Sequence, residues 1–277
     1  VTEGHPDKLC DQISDAIVDR FLRLDPFARV IAECAVSDGI LFIASRFAAR
    51  ATVDIPEIAR GVIDQVGYER DDFNARTCTV MTSLAELPAL AGGEIDEGEL
   101  SDAQIERIPA RNIANAFGFA CNHNEAMLPM PLWLAHKLAR RLACVREQKS
   151  LAYLGPDGKT QVSVEFRDGR PLRVQGITLV ASQIEPEIVD PRRMRDDLLA
   201  HVVTAAFEDE TVKPDADTTF YINPDGPFLV GGPTVHSGLT GRKNAIDTYG
   251  EYARHSESAL SGKDPSRIDR IGAYAAR

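Results

Sequence analysis

The sequence predicts an α+β fold with helices laid over one face of mixed sheets. Three observations carry that expectation. Apolar Leu9, Ile13, Ile17 and Phe21 recur at every fourth position, the spacing of an amphipathic helix. β-rich runs come in pairs joined by short Gly-containing turns, as in hairpins. And the order hairpin, helix, strand occurs twice, from Ala28 to Ser83 and from Gln161 to Ile222, with no sequence identity between the copies.

The elements follow in order. Pro6 to Leu24 reads as a helix, with Pro6 suited to its first turn. Ala28 to Val36 and Ile40 to Phe47 read as strands around the Ser37–Gly39 turn. Pro56 to Val66 reads as a helix stopped by Gly67, and Thr77 to Ser83 as a strand. Leu87 to Pro109 is acidic and Gly-rich with few apolar anchors, which predicts a mobile loop. Leu132 to Gln148 is a helix with a basic face of Lys137, Arg140 and Arg141. Gln161 to Phe166 and Leu172 to Ser182 are strands around the Asp168–Gly169 turn, and Pro191 to Phe207 is a helix. Thr218 to Ile222 and Phe228 to Val230 are short strands, a helix starts at Pro265, and the closing IGAYAAR reads as mid-helix.

Composition narrows the function classes. The chain has 277 residues, 44% of them hydrophobic, enough for more than one domain. No apolar run approaches the roughly 18 residues of a membrane span. The net charge of −11 argues against a general nucleic-acid binder and leaves a small polyanion in a pocket as the partner of any basic cluster. Metal-bridged phosphate suits an acidic chain, because Mg²⁺ takes carboxylate oxygens. The five cysteines Cys10, Cys34, Cys78, Cys121 and Cys144 are odd in number, widely spaced and set among apolar residues, which predicts buried free thiols in a reducing, cytoplasmic compartment. The first residue is Val1 and no helix stop follows IGAYAAR, so further segments are expected at both ends.

Four clusters carry candidate chemistry. VTEGHPDK crowds Glu3, His5, Asp7 and Lys8 ahead of a helix N-terminus, where free N–H groups favour an anion; alone it also reads as a plain cap with solvated charges. GPDGKTQ sets Lys159 after a Pro-Asp-Gly turn, which alone is an ordinary hairpin turn. HSGLTGRKNAIDTYG leads through Gly238 and Gly241 into Arg242, whose forked guanidinium suits phosphate, and it lacks the lysine spacing of a P-loop. SGKDPSRIDR places Lys263, Arg267 and Asp269 around a helix start. Either of the last two alone reads equally as a solvated face. Together the four favour phosphate binding.

VTEGHPDK, PDGKTQV, FYINPDGPFLVGGP, GLTGRKNAIDTYG and SGKDPSRIDRIGAYAAR resemble the signature segments of the S-adenosylmethionine synthetase (methionine adenosyltransferase) family, in order from Val1 to Arg277. The resemblance implies three interleaved, pseudo-threefold-related α/β domains with the C-terminal part incomplete. It divides the chain into a central-type segment 1–110, an N-terminal-type segment 111–235 and a return segment 236–277 carrying phosphate-binding loops. It implies a homodimer or homotetramer with shared sites, and a reaction on ATP with Mg²⁺ and K⁺ in which methionine sulfur displaces triphosphate from C5′, after which the triphosphate is hydrolysed. By resemblance His5 contacts the departing oxygen, and Lys159, Arg242, Lys243, Lys263 and Arg267 hold the phosphates. Asp7 and Asp269 hold Mg²⁺, Glu33 matches the monovalent-cation ligand, and Asp157 and Phe228 lie near adenosine.

The chain departs from the family on the acceptor side. Arg46 stands where the family carries a glutamate, Leu87 where it carries a glutamine, Asn112 and Ile113 where an acid and a glutamine are usual, and His236 where an acid precedes GLTGRK. His236 also reads as a hydrogen-bonded loop histidine. Arg267 replaces a lysine, keeping charge without geometry. Three readings follow: a divergent synthetase of S-adenosylmethionine; a paralogue with a non-methionine acceptor or triphosphate-hydrolysing activity; and a half-site subunit forming a heteromer with a complete synthetase.

Overall fold

The computed structural model describes residues 1–87, 99–108, 112–184, 189–256 and 258–277. Its elements run α1 (Pro6–Leu24), β1 (Arg29–Ser37), β2 (Ile40–Ala48), α2 (Ile55–Val66), β3 (Glu69–Arg70), β4 (Phe73–Asn74), β5 (Thr79–Glu86), α3 (Asp102–Ile105) and α4 (Met130–Glu147). The second half runs β6 (Leu154–Arg167), β7 (Arg170–Gln183), α5 (Pro191–Leu198), a wide π-type turn at Leu199–Val203, α6 (Thr204–Ala206), β8 (Pro214–Ile222), β9 (Gly238–Leu239), α7 (Asn244–Asp247) and α8 (Ile268–Ala276).

Two sheets carry the architecture, ordered β5-β2-β1-β9 and β6-β7-β8. In both, a hairpin is extended by a third strand parallel to the hairpin's second strand: β5 along β2, and β8 along β7. The repeat of topology expected from the sequence is therefore present. Parallel pairing needs a crossover, and α2 and α5 supply it in the two copies.

Each sheet has its own core. On α1 the stripe Leu9, Ile13, Ile17 and Phe21 is buried against Val30, Ala32, Leu41 and Ile43 of the first sheet and against α2. On α4, Leu134, Leu138 and Leu142 pack with Ile177 and Leu179 of the second sheet and with Met194 and Leu198 of α5. Burying one such aliphatic side chain contributes about 1.5–3 kcal/mol. The two stripes thus fix which face of each helix turns inward.

Several expectations are corrected. Pro156–Gly158 is no exposed turn: it lies inside β6, at a register shift between Leu154 and Gly158. Thr2 hydrogen-bonds the Pro156 carbonyl at 2.7 Å and the Ser182 hydroxyl the Asp157 carbonyl at 2.8 Å, so distant partners override the local turn signal. Phe228–Val230 forms no ladder; a single bridge joins Leu229 to Gln183. The last helix starts at Ile268 rather than Pro265, because the Asp264 carboxylate takes the Ser266 amide at 2.9 Å and makes a turn there. The basic face of α4 is occupied internally: Lys137 pairs with Asp209 and Glu210, both at 2.7 Å, Arg140 lies over Trp133, and Arg141 donates to the His201 carbonyl. All five cysteines are free, but Cys121 and Cys144 are only partly buried. Most of the Leu87–Pro109 stretch lies outside the described residues.

Candidate active site

The N-terminus of α1 is the centre of the site. His5 caps the helix, its Nδ1 accepting the Asp7 amide at 3.2 Å. A neutral imidazole that accepts at Nδ1 carries its proton on Nε2, so His5 has one N–H to donate there. Burial lowers its pKa to about 4, with Lys243 and His236 adding to the effect against Asp157 and Asp7. His5 is therefore neutral at pH 7.

Asp7 is fully buried. Its carboxylate takes the Leu239 amide at 3.0 Å, lies 3.1 Å from Arg242 Nε, and holds Lys243 in a very short contact. Burial alone would raise its pKa, but Lys243, the Leu239 amide and Arg242 more than offset this, so the carboxyl is held below its usual range. Two cations of the GLTGRK loop thus meet at a helix N-terminus, the end that attracts anions.

The loop reaches that position through a ladder of acids on α1. Asp7, Asp11 and Asp15 sit four residues apart, on one face. They receive the amides of Leu239 at 3.0 Å, Gly241 at 2.7 Å and Gly262 at 2.8 Å. The helix therefore carries both glycine loops. Gly238 has to be glycine, since a Cβ there would lie 2.2 Å from the Pro6 carbonyl oxygen. The spacing of acids along α1 is a signal that sequence reading missed, because it singled out Asp7 and passed over Asp11 and Asp15.

A second group lies beside the first. Asp157 is buried, and its Oδ2 takes the Gly232 amide at 2.8 Å and His236 Nε2 at 2.7 Å. Its Oδ1 is buried with no hydrogen-bond partner among the described residues. The His236 ring meets the His5 ring edge-on, with centroids 4.9 Å apart. A cleft of about 520 Å³ opens next to this group, lined by Tyr68, Gly155, Pro156, Ser182, Gln183 and Gly231 among others.

Three family models match the chain: the S-adenosylmethionine synthetase N-terminal domain over residues 1–88, the central domain over 107–228 and the C-terminal domain over 230–277. The chain belongs to the S-adenosylmethionine synthetase family. The synthetase labels run in the opposite order to those expected for the first two segments: 1–88 matches the N-terminal model and 107–228 the central one.

The remaining synthetase-type positions scatter around the centre. Lys263 pairs with Asp269 at 2.8 Å, which holds the Asp269 carboxyl low against the upward pull of burial. Arg267 turns to Asp264 at 3.0 Å. Lys159 stands exposed on β6, and Phe228 only lends its carbonyl to the Gln183 amide at 3.0 Å. Glu33 and Arg46 are exposed on the outer face of the first sheet, at register positions opposite Ala44 and Ile31. Leu87 follows β5 with its amide on the Phe47 carbonyl, and Asn112 and Ile113 are exposed. Of the acceptor-side residues, His236 alone makes a hydrogen bond, ion pair or ring contact with the central cluster among the described residues.

Proposed function

We propose that this chain transfers the adenosyl group of ATP to the sulfur of methionine, expelling triphosphate from C5′, and then hydrolyses the triphosphate. The observation that carries the reading is the convergence of Arg242, Lys243 and a neutral His5 on the buried end of α1. A thioether has no proton to lose and needs no base. The barrier lies in the charge that develops on the departing oxygen, and preorganised donors lower it. His5 Nε2–H is the donor for that oxygen. Arg242 and Lys243 exchange the Asp7 carboxylate for phosphate oxygens when ATP arrives, and Lys159, Lys263 and Arg267 extend the cationic surface. The cleft beside Asp157, about 520 Å³, is of a size for the nucleoside end.

The synthetase family depends on Mg²⁺ and K⁺. Asp7 and Asp269 present the hard oxygen donors that Mg²⁺ takes, each now neutralised by lysine, and they would hold the ion once phosphate draws the lysines away. Bound there, Mg²⁺ would neutralise charge on the triphosphate. Glu33 contributes one exposed carboxylate toward K⁺. Among the described residues no helix is long and apolar enough to cross a membrane, and the proposed place of work is the cytoplasm.

One observation favours a second reading. His236 stands in place of a family acid and ties up Asp157, so the acceptor side is rebuilt. A non-methionine acceptor, triphosphate hydrolysis alone, or a half-site role beside a complete synthetase would each follow from that change.

The test is incubation with ATP, Mg²⁺ and K⁺, with and without methionine, following adenosyl products by mass spectrometry and polyphosphates by ion chromatography. Formation of S-adenosylmethionine that saturates with methionine is expected. Triphosphate release independent of methionine would support the second reading. Arg242→Ala should lower kcat/KM for ATP by at least about tenfold, since a lost charge-assisted bond is worth about 1.5–3 kcal/mol. Unchanged turnover in that variant would remove Arg242 from the site.

A further inference from the structure

His5, Asp157 and His236 bring one potential ligand atom each to within 4.8 Å of one another. Two are imidazoles and one is a buried carboxylate whose Oδ1 lacks any hydrogen-bond partner among the described residues. An oxygen of this kind, desolvated and unpaired, calls for a ligand, because burying a polar atom unsatisfied is costly. The other oxygen is already used: Asp157 Oδ2 takes the Gly232 amide at 2.8 Å, a backbone bond that orients the carboxylate. We propose that His5, Asp157 and His236 form a binding site for a first-row transition-metal dication of the Zn²⁺ type, separate from the Mg²⁺ ligands Asp7 and Asp269.

The donor set decides the ion. Two imidazoles and one carboxylate suit Zn²⁺, Co²⁺ or Ni²⁺, whereas Mg²⁺ prefers oxygen alone. Three protein ligands leave a fourth position for water or a phosphate oxygen. Bonds of about 2.0–2.1 Å require small shifts. His236 Nε2 moves from its 2.7 Å contact with Asp157 Oδ2 onto the ion, its ring proton then lying on Nδ1. Ligation through His5 Nε2 moves the ring proton to Nδ1, which lies 3.8 Å from the Asp7 carboxylate, the kind of outer partner that metal-bound imidazoles use. The 3.2 Å cap from the Asp7 amide is lost in exchange.

The site has a consequence for the reaction. The nitrogen that binds the ion is the one whose N–H faces the departing oxygen, so metal and adenosyl transfer exclude each other at His5, and the bound ion inhibits. Only this inhibition rests on the proposed function; binding does not.

The experiment titrates chelator-treated full chain with Co²⁺, read by its visible absorption, with Zn²⁺ as competitor and millimolar Mg²⁺ present throughout. One equivalent of Co²⁺ should bind and be displaced by Zn²⁺. His236→Ala, which removes a ligand, and Asp157→Asn should each weaken binding at least about tenfold, the loss that removing even an outer-shell partner brings. Should Asp157→Asn fail to fold by circular dichroism, His236→Ala decides alone. Equal binding by wild type and His236→Ala, or no Co²⁺ band in wild type, would overturn the site. In the transfer assay, Zn²⁺ should inhibit wild type and inhibit His236→Ala at least about tenfold less strongly relative to its own metal-free rate. If no transfer occurs, the adenosyl reading fails and the binding result still stands.

Discussion

Burial holds His5 neutral, and this has a sign that can be worked out. Its folded pKa lies near 4 against an ordinary value of 6.5. Between those values the unfolded chain binds a proton that the folded chain refuses, so stability falls as pH drops from about 6.5 to 4 and this contribution is flat below. The loss is at most roughly 3 kcal/mol. Asn at this position keeps a cap for α1 but cannot titrate. Urea unfolding of His5→Asn at pH 7.5, 6 and 5 should therefore show a shallower fall than wild type; an identical fall would mean that His5 titrates normally. Asp7 makes a second prediction. Asp7→Ala leaves Lys243 largely buried without its counter-charge and the Leu239 amide unpaired. Breaking a buried pair in this way costs about 3 kcal/mol, and the drop in the denaturant midpoint measures it.

At the scale of elements, α1 is both a core helix and a loop holder. Its apolar face packs on the first sheet while Asp7, Asp11 and Asp15 hold the amides of the two glycine loops. β9 is only two residues long and pairs with β1 at Ala35 and Val36, so its place depends on close approach to α1. Gly238→Ala would force a Cβ against the Pro6 carbonyl. Overpacking of this kind costs about 1–3 kcal/mol, which for a chain of this size lowers the melting temperature by about 2–10 °C. Because the displaced loop carries Arg242 and Lys243, tripolyphosphate affinity measured by calorimetry should fall with it. A variant that melts lower but binds tripolyphosphate normally would show that the loop holds its shape without β9.

For the whole molecule, the outer face of the first sheet stands out. Ile40, Phe42, Met81 and Leu239 point away from α1 at 50%, 42%, 52% and 45% exposure, and the register sets Phe42 between Ala35 and Met81. Contiguous exposed apolar surface of this kind marks an interaction face. Glu33 and Arg46 lie on it, so a second copy docked there would cover two positions that a single chain leaves apart from the Asp7, Arg242 and Lys243 cluster. We predict a homodimer by light scattering on a size-exclusion column and a monomer for Phe42→Asp. A monomeric wild type would sink that proposal and leave Glu33 and Arg46 without a site.

Periodicity and local signatures determined the longer helices, the hairpins, the repeated topology and the family. α1 was legible because its apolar stripe and cap are local properties. The residues proposed to bind phosphate were legible as motifs, since Gly-rich turns next to basic residues carry their own chemistry. Tertiary structure alone decided which of them meet. Arg242 and Lys243 reach Asp7 across more than two hundred residues, while Arg267 looks no further than Asp264. It also decided that Pro156–Gly158 is buried inside β6, because Thr2 and Ser182 supply partners that no local pattern encodes. The His5, Asp157 and His236 cluster comes from three distant segments, and only the docking of Thr2, just before α1, on the Pro156–Gly158 stretch of β6 and the return of the chain at His236 put a buried carboxylate beside two imidazoles.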